Sequence, residues 1–82
     1  MNGSRLKKTR IERKVQNMTR ELLDKLPQNV RGNVERVRKT MKNLPYKRDE
    51  ISERAAGYAA GLRDAGLITE RERQLLFIYM TL

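Results

Sequence analysis

The run Ile11-Glu12-Arg13-Lys14-Val15-Gln16-Asn17-Met18-Thr19-Arg20-Glu21-Leu22-Leu23-Asp24-Lys25-Leu26-Pro27 decides how the chain is read. Its apolar residues Ile11, Val15, Met18, Leu22 and Leu26 are spaced 4, 3, 4 and 4 apart, which lays all five along one face of an α-helix. Pro27 then stops the helix, because its ring removes a donor and clashes with the preceding turn. The next segment repeats the device: Val30, Val34, Val37, Met41 and Leu44 are spaced 4, 3, 4 and 3 and are closed by Pro45. The short link Leu26-Pro27-Gln28-Asn29 predicts that the two helices fold back as an antiparallel hairpin. Gly32 and three valines weaken the second helix intrinsically, so packing must hold it.

A third stripe, Ile51, Ala55, Tyr58, Leu62 and Ala65, follows Asp49-Glu50, with Asp49 the expected N-cap and Gly66 the expected left-handed stop. Ala56, Gly57, Ala59, Ala60 and Gly61 thin the middle of this helix and predict the close approach of a neighbour. Arg54, Arg63 and Asp64 exclude a membrane span. The fourth helix opens on Thr69-Glu70-Arg71-Glu72, a capping box in which Thr69 and Glu72 satisfy each other's free amides. From Leu75 to Leu82 it is apolar on every side and must be buried. A chain of this size buries only about 60–65% of its extended surface. Self-association as a homodimer through Leu75, Leu76, Phe77, Tyr79 and Met80 is therefore expected. The whole reading is an all-α single domain of four helices, near 10–26, 29–44, 50–65 and 69–81, built from two antiparallel helical hairpins.

The run Leu62-Arg63-Asp64-Ala65-Gly66-Leu67-Ile68-Thr69-Glu70-Arg71-Glu72 resembles the short C-terminal helical hairpin known as the SHOCT-type domain. The resemblance covers about residues 55 to 80 and departs after Glu72, where Arg73-Gln74-Leu75-Leu76-Phe77 replaces a lysine-bearing, less apolar helix. It implies a two-helix unit that serves association rather than catalysis.

The 82 residues carry 19 Lys and Arg against 10 Asp and Glu, a net charge of +9, and this charge is unevenly placed. Residues 1–48 hold 15 basic and 4 acidic side chains, net +11; residues 49–82 hold 4 and 6, net −2. Upstream of Ile11 there is no apolar stripe, so residues 1–9, with Arg5, Lys7 and Lys8, are expected to form a mobile basic arm leading to Arg10. Arg10, Arg13, Lys14 and Arg20 on the first helix, and Arg31, Arg36, Arg38, Lys39 and Lys42 on the second, complete an expected polyanion-binding surface. The i,i+4 pairs Glu21–Lys25, Arg20–Asp24 and Glu35–Lys39 account for only three of these charges. The excess is larger than solubility requires. Nucleic acid, DNA or RNA, is the expected partner, bound through its backbone with little sequence selectivity and in an accessory or regulatory role. The alternative is an adaptor or inhibitor that docks the same basic hairpin on an acidic protein.

Other classes fit less well. A helix-turn-helix would place Gly66 acceptably, but its second helix would offer Glu70 and Glu72 to phosphate and then apolar groups to bases. Base stacking would have to rest on Tyr46, the single aromatic residue of the basic half, for which a turn or core role is expected. With no Cys and no His, zinc sites, disulfides, thiol nucleophiles and imidazole bases are absent, so no enzyme, metal or cofactor is expected. The N-terminal residues lack the apolar core of a signal peptide, and the expected location is cytoplasmic. Membrane-surface binding is disfavoured because the first helix has no Trp or Phe on its apolar face.

Overall fold

The computed structural model describes residues 9–82. Within them the chain is all-α: α1 (Arg10–Asp24), α2 (Gln28–Asn43), a turn of 3-10 helix (Pro45–Lys47), α3 (Arg48–Asp64) and α4 (Glu70–Thr81). Both α1 and α4 begin on the same device. The Thr9 hydroxyl accepts from the Glu12 amide at 3.0 Å while the Thr9 amide donates to Glu12 Oε1 at 2.9 Å; Thr69 and Glu72 do the same at 3.1 and 2.8 Å. Thr9 therefore belongs to the helix start and not to the expected arm, whose residues 1–8 lie outside the described residues. Arg10 likewise is the first residue of α1. At its other end α1 closes two residues before the expected boundary. The Lys25 and Leu26 amides donate to Leu22 and Leu23 carbonyls three residues back, and the tightened turn delivers the chain to Pro27.

Asp49 is not an N-cap. The 3-10 turn runs straight into α3, which starts at Arg48, so Asp49 and Glu50 occupy its first turn, where their charge still faces the free amides. The end of α3 is a Schellman motif. Gly66 has φ of +79°, its amide donates to the Arg63 carbonyl at 2.9 Å, and the Leu67 amide donates to the Leu62 carbonyl at 3.0 Å.

The core joins Leu22 and Leu23 of α1, Val30 and Val34 of α2, Ala55, Ala59 and Leu62 of α3, Ile68, and Leu76, Tyr79 and Met80 of α4. Helix α4 packs against all three other helices, whereas α1 and α2 touch each other more sparingly than either touches α4. This placement explains its unpatterned apolar sequence. Leu76, Tyr79 and Met80 are buried inside one chain, and Leu75 and Phe77 pack half-buried against the same core. The expected association face is thus largely consumed by the fold, because three neighbours surround a helix of 12 residues on three sides.

Two expected stripes are shifted. On α1 the buried residues are Val15, Thr19, Leu22 and Leu23, while Ile11 is 74% and Met18 47% exposed. The stripe is wider than the surface α4 offers it, so its outer edge stays in solvent. On α3 the close contacts are made by Ala55 and Ala59, both fully buried, whereas Gly57 and Gly61 point outward with open space beside them among the described residues. Ala65, the C-cap, is exposed as well.

Candidate nucleic-acid interface

The basic residues of α1 and α2 do not form one continuous face. Arg5, Lys7 and Lys8 lie outside the described residues. Arg10, Arg13, Lys14 and Arg20 are exposed on α1, and no salt bridge within the described residues engages them. Arg13 and Arg20 share one edge of α1 with Asp24. Arg31, Arg38 and Lys42 share one edge of α2, and the Arg31–Asp24 salt bridge at 3.1 Å joins the two edges across the link. None of the expected pairs Glu21–Lys25, Arg20–Asp24 and Glu35–Lys39 closes as a salt bridge among the described residues. Asp24 is taken by the next helix, and Glu35 by Tyr79.

Arg38 is a structural residue rather than a free cation. Its guanidinium carbon stands 4.3 Å from the centroid of the Tyr79 ring, and its Nε is buried without a hydrogen-bond partner among the described residues. The Tyr79 hydroxyl donates to Glu35 Oε2 at 2.7 Å. Burial first, and the Glu35 hydrogen bond second, push this phenol above its ordinary value. Lys39 and Lys42 line a shallow depression of about 260 Å³ with Glu35 and Arg38. Arg48, which the sequence did not single out, is also drawn into the fold: its Nη2 donates to the Thr81 carbonyl at 2.8 Å and closes the end of α4.

Arg36 lies on the other side of α2. Its Nη1 donates to Asn33 Oδ1 at 3.3 Å, and Asn33 Nδ2 donates to the Tyr58 hydroxyl on α3 at 3.2 Å. These residues border a cleft of about 290 Å³ between α2 and α3, which Arg54, Thr40, Val37 and Ile51 complete. Sequence reasoning placed Arg36 with Lys39 and missed Asn33, Arg54 and Tyr58. The available signal was the helical phase, which puts Arg36 in line with Asn33 and Thr40 and on the far side of α2 from Arg31, Arg38 and Lys42. Tyr46, expected in a turn or the core, sits in the 3-10 turn and is 78% exposed.

The other half of the molecule neutralises its own charge. Glu70 accepts from Arg63 Nη1 at 2.6 Å and from Arg73 Nη2 at 2.5 Å, while Arg63 also pairs with Asp64 at 3.1 Å. Hydrogen bonds from Arg73, Arg63 and Gln74 hold the Glu70 carboxyl well below the usual carboxylate range. Among the described residues no group of three metal-ligating side chains occurs, and no helix is long and apolar enough to cross a membrane. Comparison with known proteins finds no matching family model, no matching curated protein and no matching solved structure.

Proposed function

We propose that this chain is a small nucleic-acid-binding accessory protein that holds the phosphate backbone through α1 and the adjoining edge of α2. The supporting observation is the row Arg10, Arg13 and Arg20 with Lys14, exposed and free of carboxylate partners among the described residues. Lys39 and Lys42 add two further exposed or half-exposed cations on α2. Such charges act on phosphate by releasing counterions and carry no base readout of their own. Neutralising about five phosphates, each contributing a slope of about −0.9, lowers affinity roughly 500-fold between about 50 and 200 mM salt. Gel-shift titration of duplex DNA, single-stranded DNA and structured RNA at the two salt concentrations measures that slope. Arg13→Gln and Arg20→Gln each weaken binding and reduce the slope by about one phosphate. Absence of binding to all three nucleic acids at the lower salt overturns the reading.

The exposed Ile11 and Met18 beside Lys14 favour a second reading, an acidic protein partner with an apolar contact at its centre. Under that reading Ile11→Ser and Met18→Ser abolish partner capture while leaving polyanion binding intact.

A further inference from the structure

We propose that the cleft between α2 and α3 is a binding site for a small amphipathic organic anion, a phosphate or carboxylate carried on a flat apolar body. The charged groups that the cleft offers are both cations. Arg36 and Arg54 are exposed at its rim, and no salt bridge within the described residues engages either. The Tyr58 hydroxyl already accepts from Asn33, so its own proton remains to be donated. The Thr40 hydroxyl donates its proton to the Arg36 carbonyl at 2.8 Å and so has none left for an anion. Among the described residues no carboxylate lines the cleft. Two guanidiniums and a phenol with no carboxylate opposite them select an anion.

The arrangement is held in advance. Asn33 accepts from Arg36 Nη1 within α2 and donates to Tyr58 across to α3, which restrains one nitrogen of the Arg36 guanidinium and leaves its remaining N–H groups for a ligand. Val37 and the buried Ile51 supply an apolar wall, which a bare inorganic ion would leave uncovered. A volume of about 290 Å³ accommodates a single ring with its charged head. The site is independent of the seam between α1 and α2, so it stands whether or not the chain binds nucleic acid.

The test is a titration of the ¹⁵N-labelled protein with phenyl phosphate, benzoate, benzyl alcohol and inorganic phosphate, followed by amide chemical shifts. The expected result is saturable movement of the Val37, Ile51 and Arg54 signals with phenyl phosphate and benzoate. Benzyl alcohol and inorganic phosphate bind at least about tenfold more weakly, since each lacks one half of the recognition. Arg36→Gln and Arg54→Gln each weaken phenyl phosphate about tenfold, the loss of a charge-assisted hydrogen bond, while Arg20→Gln leaves it unchanged. Two separate rim variants keep the test valid if one fails to fold. Inorganic phosphate binding as tightly as phenyl phosphate, shifts spread over α1 instead of the cleft, or absence of saturable movement overturns the proposal.

Discussion

Of the three connections between the described helices, the first and the last are built in opposite ways. The corner from α3 to α4 carries a Schellman glycine, a capping box and the Arg63–Glu70–Arg73 network, and it joins two helices that pack closely. The link from α1 to α2 carries Pro27, no side-chain cap on α2 and one exposed salt bridge, and it joins two helices that touch sparingly. Local hydrogen bonds thus complete the near-neutral hairpin, whereas the basic hairpin is completed by α4, which supports both α1 and α2. The basic side chains of α1 and α2 repel one another across a close mutual contact, and an apolar helix shared between the two lets their charged edges stay in water.

Loss of the shared support is expected to give the largest effect. Leu76→Ala, at a fully buried position of α4, is expected to cost about 2–5 kcal/mol in urea unfolding, with both hairpins lost in one transition. Met18→Ala, at the exposed edge of α1, should stay within about 0.5 kcal/mol. Separate melting of α1 and α2 ahead of the rest would mean that the basic hairpin does not share its stability with α4.

One glycine from each hairpin comes next in size. Gly66→Ala forces a left-handed backbone on a residue with a Cβ and is expected to cost about 1–2 kcal/mol. Gly32→Ala, on an exposed turn of α2 with open space among the described residues, should instead stabilise by about 0.5–1 kcal/mol. Thermal or urea unfolding of the two variants reads opposite signs.

A comparable step comes from Thr19, which is fully buried in α1 with a hydroxyl that has no partner among the described residues. Thr19→Val removes that unpaired group at nearly constant shape and should stabilise by about 1 kcal/mol. Thr69→Ala, which removes a cap, should destabilise by about the same amount.

The smallest effect is electrostatic and confined to the α3–α4 corner. The Glu70 carboxyl is depressed in the folded state, so its contribution is fully present above its ordinary value of 4.5 and is lost as pH falls through the lower folded value. Glu70→Gln should therefore be less stable than the parent at neutral pH and converge with it in strong acid. Because the network is solvent-exposed and screened, the difference should shrink in high salt. A difference that persists unchanged from neutral pH to strong acid would show that the Glu70 charge does not stabilise the corner.

The periodic stripes, Pro27, Pro45, Gly66 and the Thr69–Glu72 box make four helices and their approximate ends legible in the sequence, because each is decided within a few residues of chain. The Thr9–Glu12 box is the same kind of local signal, hidden among basic neighbours that read as an arm. The candidate site was less legible. Which arginines stay free depends on acceptors from other helices: Arg31 finds Asp24, Arg38 lies on Tyr79, and Arg48 reaches the last turn of α4. Each acceptor is distant in sequence or set by a helix phase that tertiary packing selects.

An all-α chain, helix boundaries to within about two residues and the concentration of positive charge in the first 48 residues all follow from the order of amino acids. Hydrophobic spacing, proline and glycine act locally, so no other part of the chain is needed to read them. Other outcomes came only from the assembled fold: α4 is surrounded by three helices, Ile11 and Met18 face solvent, and Arg36 of α2 shares a cleft with Arg54 of α3. They depend on which surfaces are left to meet once the helices compete for one small core, and that competition is settled by packing across the chain.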